Sequence, residues 1–487
     1  MGILREDTTE PKEGLQNPGA RTETPQKRGL FPTLTEVISY VRARLAKHPT
    51  PETPIMQKTP VTPEERKPQK ETSDSKPPFA YPLEDIPEGE DGINWILQHR
   101  EEVFPFVQKE IQFDNGGAPS PSKFCAKAVA DHSNFIAEQG YAHYSVTKQK
   151  IQQAREEAGK LLGADSSEIA FKQNTVEGLR TVAERFNWQK GDKVVVLKKD
   201  KEYASNFSPW EDLKRLGVEL VEVGDENGHV TVAQVAEALK QNPRMVALSS
   251  IGWKTGQRVD LEAVGQLIKD HNEQNSGPKT RFCVDGIQGL GIHPIDVKKA
   301  NIDFLSAGGS KWLMAGSGKG IFYCSKDAMG EMRTTGLGAS SLKDFTKPDS
   351  GAKENASVFE DGTNNYESIV GLGEAIRLAN KLGQKNLERR VIELSNYLVQ
   401  QLEAKGFKVF SPRNNPKEKS GMVLFGKPEW DTPEKVSATH NSLMDTKGNT
   451  VKPIWMSLRD GKIRACVSYY NTKEEIDELI GRLDVAA

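Results

Sequence analysis

Short apolar segments and amphipathic segments alternate along the chain from about residue 90 to its end. The apolar runs predict seven strands, at 169–171, 194–197, 218–223, 245–249, 282–284, 304–306 and 320–324. A helix is predicted at 176–186, between the first two of them. Mostly apolar strands separated by helices are typical of a parallel sheet that is covered on both faces.

Two parts of the chain depart from this pattern. Glu219 and Glu222 interrupt the third apolar run, so this strand is expected near an edge of the sheet. From about Asn365 a long helix leads into βαβ-like units that end in a predicted helix at 474–483. The sequence therefore predicts a second, smaller α/β domain after the large one.

The first 90 residues differ from the rest, because they carry 14 of the 27 prolines and few aromatic residues. Such a segment cannot bury enough surface to offset chain entropy, so a disordered tail is predicted for 1–90. Within it, apolar residues recur at helical spacing over 33–48, and Thr33 with Glu36 forms a capping box. This short helix is interpreted either as a docking element, for a protein partner or for the chain's own surface, or as a transient helix in a linker.

Composition and charge exclude several classes of protein. The chain has 487 residues, 36% of them hydrophobic, and 66 basic side chains nearly balance 68 acidic ones. This balance argues against nucleic acid or an anionic membrane as a partner, and no apolar run approaches the roughly 20 residues that span a bilayer. Four cysteines exclude a disulfide scaffold, and the N-terminal sequence lacks the apolar segment of a secretory signal. A cytoplasmic protein is expected, and no metal site is predicted.

The first of four local patterns is the strand-to-helix turn at 171–178, which contains Asn174 and Thr175. Backbone N–H groups and a hydroxyl at the start of a helix are suited to bind a phosphate. An ordinary capped helix has the same features, so both interpretations stay open.

Two further patterns follow predicted strands. Asp285 comes at the carboxyl end of the strand at 282–284, the edge where α/β proteins bind ligands. A buried carboxylate there needs a cationic partner such as a protonated pyridine nitrogen, and a structural Asp that caps the next turn is an equal alternative. Lys311 lies in the Gly-rich turn after the strand at 304–306. Desolvation would lower the pKa of such a lysine, as Schiff-base chemistry requires, although a surface lysine in a flexible loop is the simpler interpretation.

The run at 316–320 invites comparison with a phosphate-binding P-loop but fails its pattern. Leu313 stands where the first Gly should be, and Gly320 follows Lys319 where Ser or Thr is needed.

The fourth pattern centres on Arg464, which lies within a short apolar strand. Its planar guanidinium is suited to bidentate binding of a carboxylate, and an internal ion pair is the alternative.

Together and in this order, the four patterns resemble one family, the class V aminotransferases of pyridoxal 5'-phosphate (PLP) fold type I. The resemblance covers about 104–483. Its most specific part is a set of five residues: Asp285, Gln288, Ser310, Lys311 and Trp312. Four further segments contribute to it: 113–119, 202–210, 246–256 and 359–364.

The resemblance implies a fold and an assembly. The expected α/β fold is PLP fold type I, with a large domain that holds a mixed, mostly parallel seven-stranded sheet between helices, plus a smaller C-terminal α/β domain. On this basis 91–120 is an N-terminal segment of the small domain, 121–360 is the large PLP-binding domain and 361–487 is the small C-terminal domain. A homodimer with shared active sites is also implied.

The resemblance assigns roles at the cofactor ring. Lys311 would form the Schiff base with PLP and then move the Cα proton. Asp285 would pair with the pyridinium nitrogen, and Gln288 would hydrogen-bond the phenolic oxygen. Tyr203 stands where many relatives place a histidine that stacks on the ring, and its aromatic ring can still stack.

Further contacts are implied at the phosphate and the substrate. Three residues resemble phosphate ligands: Asn174, Thr175 and Ser310. Val176 stands where relatives often have a phosphate-binding threonine. Gly362 and Thr363 match an element that reaches the phosphate from the neighbouring subunit. Arg464 would bind the α-carboxylate of the substrate, and Asn115 would contribute to substrate binding.

The implied activity is that of a PLP-dependent enzyme that removes the Cα proton of an α-amino acid, as a transaminase or a Cβ–X (C–S) lyase. Relatives of the desulfurase type carry a mobile catalytic cysteine ahead of the C-terminal arginine, and 452–462 contains none. Cys466 shares a strand face with Arg464 and is interpreted as a packed side chain. A cysteine desulfurase or selenocysteine lyase is the alternative, and a non-catalytic scaffold recruited through its N-terminal tail is a third hypothesis.

Overall fold

The computed structural model describes residues 81–334, 338–446, 448 and 450–486. The helix predicted at 33–48 lies outside these residues. The prediction of a disordered tail does not hold for its last part, 81–90, where Leu83 and Ile86 are buried and a helix begins at Gly89. These two aliphatic side chains bury apolar surface in the main core, so the boundary predicted at residue 90 is too late.

The strands of the described residues are β1 (Ile111–Gln112), β2 (Ile169–Lys172), β3 (Lys193–Leu197), β4 (Glu219–Val223), β5 (Met245–Ser249), β6 (Arg281–Asp285), β7 (Phe304–Gly308), β8 (Gly320–Cys324), β9 (Lys408–Val409), β10 (Met422–Gly426), β11 (Ile454–Trp455), β12 (Ser457–Arg459) and β13 (Lys462–Cys466). The seven strands predicted from the apolar runs are β2 to β8, and each observed strand overlaps its predicted range.

The α-helices are α1 (Gly89–Gln98), α2 (Arg100–Val103), α3 (Lys123–Gln139), α4 (His143–Leu162), α5 (Thr175–Arg185), α6 (Ala204–Glu211), α7 (Val232–Leu239), α8 (Leu261–Gln274), α9 (Lys326–Met329), α10 (Tyr366–Leu382), α11 (Gln384–Ala404), α12 (Pro433–Met444) and α13 (Lys473–Ala486). Short 3₁₀ turns lie at Leu83–Asp85, Pro105–Gln108, Gly140–Ala142, Ser166–Glu168, Asp212–Leu216, Ala339–Ser341, Ala356–Phe359 and Pro416–Glu418. Within the described ranges, every helix is too short or too polar to cross a membrane.

The strands β2 to β8 form one sheet in the order β2-β8-β7-β6-β5-β3-β4. The neighbouring pairs are parallel, except that β8 runs antiparallel to both β2 and β7. The strand β4, which carries Glu219 and Glu222, lies at one edge as expected. The predicted mixed, mostly parallel seven-stranded α/β fold is therefore confirmed.

Both faces of this sheet are buried, each in its own apolar cluster. Along β5, Val246 and Leu248 belong to one cluster, whereas Met245 and Ala247 belong to the other. The helices α4, α7 and α8 contribute to the first cluster, and α5 and α6 contribute to the second. Because successive side chains alternate between two covered faces, the interior strands are mostly apolar, whereas the edge strand β4 keeps its two exposed glutamates.

A second sheet lies in the C-terminal part of the chain, with the order β12-β13-β10-β9 and antiparallel pairing. A third apolar cluster joins it to α11, α12 and α13. Separately, β1 pairs in parallel with β11. The domain boundaries at 120 and 360 stay predictions.

Candidate active site

The carboxyl ends of β6 and β7 open onto a cavity of about 390 Å³. Six of the residues that the family resemblance assigned to the cofactor lie in its wall: Asn174, Thr175, Tyr203, Asp285, Ser310 and Lys311. They come from four separate stretches of the chain. The topology therefore brings the first three sequence patterns to one place, at the sheet edge where they were expected.

Lys311 lies in the turn directly after β7 and points its amine into this cavity. Its Nζ is 5.8 Å from the centroid of the Tyr203 ring, which is 47% exposed. Burial lowers the pKa of Lys311, and the nearby Asp285 carboxyl partly opposes this effect. A lysine with a lowered pKa has a larger neutral fraction, and the neutral amine is the form that adds to an aldehyde.

Asp285 ends β6 and is buried among residues of the sheet. In register it lies beside Ser249 of β5 and Ser306 of β7. Its Oδ1 accepts a hydrogen bond of 3.0 Å from the backbone N–H of Ile287. Burial raises the pKa of Asp285 to about 6, because the N–H bond only partly offsets the loss of water around the carboxylate. A cation placed against this group would favour its ionised form.

The start of α5 is fixed to β7 by hydrogen bonds. Asn174 caps the helix, with Oδ1 accepting from the Glu177 N–H at 3.0 Å. Thr175 Oγ1 accepts from the Gly308 N–H at 2.9 Å, and the Thr175 carbonyl accepts from Ser306 Oγ at 2.8 Å. The helix N-terminus, which carries partial positive charge, is thereby held rigidly at one end of the cavity.

Gln288 lies behind the cavity. Its Nε2 donates to the Gly116 carbonyl at 3.0 Å, and its Oε1 accepts from the Trp312 indole N–H at 3.0 Å. The side chain is thus held between the N-terminal segment and the turn that carries Lys311. Its contact with the phenolic oxygen of the cofactor stays a prediction. The second N–H of Nε2 could donate that hydrogen bond, since the first is bound to Gly116.

Asn115 is occupied by hydrogen bonds within the chain. Its Nδ2 donates to the carbonyls of Gln112 and Cys466 at 3.2 and 2.7 Å and to Asn471 Oδ1 at 3.3 Å. Its Oδ1 accepts from the Tyr470 hydroxyl at 2.6 Å. These contacts give Asn115 a role in holding the N-terminal segment to β13, and the predicted substrate contact stays a prediction.

Arg464 is buried on β13. It forms an internal ion pair, which the sequence analysis gave as the alternative to binding a substrate carboxylate. Its Nη2 lies 3.2 Å from Asp114 Oδ1 and 3.0 Å from Ser457 Oγ, and its Nη1 donates to the Trp253 carbonyl. Its Nε has no hydrogen-bond partner among the described residues. Arg464 also lies close enough to Lys311 to lower the pKa of that lysine, after the larger effect of burial.

Gly362 and Thr363 are exposed and lie outside the cavity wall. The segment just before them is anchored, because Glu360 forms an ion pair of 2.8 Å with Arg155. The predicted role of the two residues at the phosphate of a neighbouring subunit stays a prediction.

Sequence reasoning assigned no role to Glu202, which is buried beside the cofactor site. Its Oε1 accepts from the Tyr203 N–H at 2.8 Å, Ser249 Oγ donates to it at 3.1 Å, and its Oε2 accepts from Asn206 Nδ2 at 3.1 Å. Burial, together with the nearby Asp285, raises the pKa of Glu202 to about 7 despite these donors. The sequence placed Glu202 in a segment typical of the family, but an isolated Glu gives no sign that it points inward.

All four cysteines are unpaired and buried, at positions 125, 283, 324 and 466. Burial raises the pKa of the Cys466 thiol, which keeps it protonated at neutral pH. A Cβ on Gly116 would lie 2.9 Å from Cys466 Sγ, so the glycine lets the N-terminal segment pass against this thiol. The packing agrees with the interpretation of Cys466 as a structural side chain.

Comparison with known proteins identifies the family. The sequence model described as aminotransferase class V matches residues 115–479, well over half of the chain. A probable cysteine desulfurase from Methanothermobacter thermautotrophicus is 27% identical over 406 residues, which cover 79% of this chain and 97% of that protein. The chain therefore belongs to the aminotransferase class V family, whose members are PLP-dependent enzymes.

Two solved structures share the fold. The apo structure of a cysteine desulfurase from Thermococcus onnurineus NA1 superposes with a TM-score of 0.69 at 24% identity, over 80% of this chain and 97% of that one. The cystine C–S lyase C-DES, in complex with its reaction product cysteine persulfide, gives a TM-score of 0.68 at 24% identity, over 78% and 98%. At this level of identity the two structures establish a common fold.

Proposed function

We propose that this enzyme is a PLP-dependent C–S lyase that acts on a sulfur-containing α-amino acid. The observation that carries the proposal is a single cavity that joins the Lys311 amine, the buried Asp285 carboxyl and the N-terminus of α5. The names of the relatives, cysteine desulfurase and cystine C–S lyase, support the choice of a C–S bond.

The lining of the cavity fits PLP at three points. The Lys311 amine suits the aldehyde, Asp285 suits a protonated pyridine nitrogen, and the start of α5 suits the phosphate. We assign the phosphate to Asn174, Thr175 and Ser310. We also assign one face of the ring to Tyr203 and the phenolic oxygen to Gln288. When bound, PLP withdraws electrons from Cα of the amino acid that is joined to it.

The residues of this chain then act on the substrate. Arg464 binds the α-carboxylate, and its ion pair with Asp114 holds the guanidinium in place. The Lys311 amine takes the proton from Cα, for which its lowered pKa prepares it. Loss of this proton lets the Cβ–S bond break, and the sulfur leaves with the bonding electron pair. Hydrolysis of the remaining three-carbon fragment gives pyruvate and ammonia.

The fate of the sulfur follows from the cysteines. A desulfurase that transfers sulfur to itself needs an accessible thiol near the substrate, and all four thiols here are buried. The segment 452–462, ahead of Arg464, contains no cysteine. We therefore propose that sulfur is released as a small molecule rather than transferred to the enzyme.

Two further proposals concern assembly and location. Gly362 and Thr363 match a family element that reaches the neighbouring subunit, so we propose a homodimer with shared active sites. Their exposure in the single chain is consistent with this. A cytoplasmic location and a protein partner for the N-terminal tail are our predictions from the sequence.

Product analysis tests the proposed reaction. The purified holoenzyme is incubated with cysteine, cystine and other amino acids, with and without keto acids, and the products are identified by mass spectrometry. We expect pyruvate and ammonia in equal amounts with release of a small sulfur compound, and none of these from Lys311→Ala. Alanine with a persulfide on the protein would instead indicate a cysteine desulfurase, and keto-acid-dependent amino exchange would indicate a transaminase.

A further inference from the structure

A buried lysine lines the same cavity at its phosphate end. Lys319 is 4% exposed and shares the cavity wall with Asn174, Thr175 and Ser310. The Gly309 N–H donates to the Lys319 carbonyl at 2.8 Å, which fixes the lysine beside the turn that carries Ser310. A fourth group, an amine that is positively charged when protonated, therefore lies among the proposed phosphate ligands.

The flanking glycines explain why a lysine can occupy this position. Gly318 has a φ of +90°, a conformation that other residues adopt only with strain. A Cβ on Gly320 would lie 2.6 Å from the Ala307 carbonyl oxygen, so only glycine lets β8 pass this close to β7. The run at 316–320, which fails the P-loop pattern, is thus a turn that brings Lys319 against the cavity.

The hydrogen-bond partner of Lys319 Nζ among the described residues is a neutral amide. Its Nζ donates to Asn364 Oδ1 at 2.8 Å, and among the described residues no carboxylate lies within 4.0 Å of it. Burial lowers its pKa, and Glu177 and Glu360 oppose this from a distance. A buried ammonium without a counter-ion is unfavourable, so the arrangement is expected to favour an anion in the cavity.

A second buried lysine shows the contrast. Lys172 is also 4% exposed, but its Nζ donates to the Phe359 carbonyl at 2.5 Å and has Glu177 at 3.7 Å. It does not belong to the cavity wall. Its amine therefore has an ion-pair partner within the fold, although it lies close enough to Lys319 to lower the pKa of that lysine.

The helix start also offers one ligand fewer than the family pattern. Val176 lines the cavity where relatives often have a phosphate-binding threonine, and its side chain cannot donate a hydrogen bond. A cation beside the helix N-terminus would replace that contact with a stronger, charge-assisted one.

We propose that Lys319 binds the phosphate of PLP as its cationic ligand. The inference rests on the proposed function to the extent that the cavity must bind PLP. The proposed contact is a salt bridge between Lys319 Nζ and the phosphate. Asn174, Thr175 and Ser310 are uncharged and can offer only hydrogen bonds.

Comparison of PLP with pyridoxal, which lacks the phosphate, tests this assignment. Full-length protein freed of cofactor is titrated with each compound by absorption and fluorescence, for the wild type, Lys319→Met, Lys319→Gln and the matched control Lys172→Met. We expect both Lys319 variants to bind PLP about 10- to 100-fold more weakly, with pyridoxal affinity changed by less than about threefold. Lys319→Arg should recover most of the PLP affinity, and Lys172→Met should keep the wild-type ratio of the two affinities.

Two results would overturn the assignment: an unchanged ratio of PLP to pyridoxal affinity in the Lys319 variants, whether both affinities stay the same or fall equally, or the same change of ratio in Lys172→Met. If Lys319→Met does not fold, Lys319→Gln and Lys319→Arg decide by the same ratio. Failure of the wild type to bind either compound would instead contradict the proposed function, so the two failures are distinguishable.

Discussion

Replacement of Glu202 by Gln should remove the part of the loss in unfolding free energy that the wild type undergoes as this buried carboxyl ionises with rising pH. The Glu202 carboxyl is buried beside Asp285 and accepts hydrogen bonds from the Tyr203 N–H, Ser249 and Asn206. The Gln side chain has nearly the same shape but never ionises. It also loses some of these hydrogen bonds, and that cost does not depend on pH.

The magnitude follows from the pKa of Glu202, which burial raises from 4.5 to about 7. A folded-state pKa above the unfolded value means that the folded chain holds the proton more tightly. The stabilisation is therefore complete below pH 4.5 and is lost as the pH rises to about 7. At about 1.4 kcal/mol per pKa unit, the wild type should lose roughly 2.5 kcal/mol relative to Glu202→Gln between about pH 5 and pH 8.

Urea unfolding of the cofactor-free protein, followed by tryptophan fluorescence, measures this difference at several pH values. Glu219→Gln, which removes an exposed carboxylate from the edge strand β4, is the control for the loss of one charge. A wild-type-minus-variant free energy that stays constant between pH 5 and 8 would refute the argument. A change in the opposite sense would show that the hydrogen-bond donors outweigh burial and keep Glu202 ionised.

Three further predictions concern a thiol, a glycine and an arginine. Cys466→Ala should keep sulfur release within about twofold of the wild type, because burial keeps the thiol protonated; a severe loss together with loss of persulfide labelling would contradict this. Gly265→Ala should reduce the free energy of unfolding by about 1–3 kcal/mol, since its Cβ would lie 1.8 Å from the Ala300 carbonyl oxygen; an unchanged urea midpoint would be inconsistent with that packing. Arg464→Lys should raise KM for the amino acid while the cofactor absorption is retained, because a point charge cannot replace the fork that also binds Asp114; an unchanged KM would argue against the carboxylate contact.

The sheet could be predicted from the sequence because burial on both faces requires apolar residues at nearly every position of its interior strands. The strand Met245–Ser249 is apolar at nearly every position, and its observed bounds are the predicted ones. The edge position of β4 was readable from its two glutamates for the same reason. These are properties of single segments, which a sequence displays without knowledge of the tertiary fold.

Contacts between distant segments could not be predicted in the same way. The partner of Arg464 is Asp114, which lies 350 positions earlier in the chain. The hydrogen bonds of Asn115 also reach across to the last residue of β13 and to Asn471 beyond it. Sequence patterns show that such residues are present, but only the tertiary fold decides whether a polar group faces a cavity or another side chain.

The inward direction of a charged side chain was the hardest feature to predict. Glu202 and Lys319 are residue types that are mostly exposed, and nothing in their neighbours' hydrophobicity marks them as buried. In the case of Lys319, the glycines around it invited comparison with a P-loop whose pattern the run fails, whereas the structure shows that Gly320 lets β8 lie close to β7. The tertiary fold was needed to show that both side chains are buried and that Lys319 lines the cavity.

Borohydride reduction of the holoenzyme tests the central claim most directly. Reduction makes a Schiff base permanent, so that digestion and mass spectrometry can locate the modified lysine. Attachment through Lys311 predicts one phosphopyridoxyl group on the peptide that carries this residue, and no phosphopyridoxyl group in Lys311→Ala. A protein that stays unlabelled after incubation with PLP, or a label on a different lysine in the wild type, would contradict it.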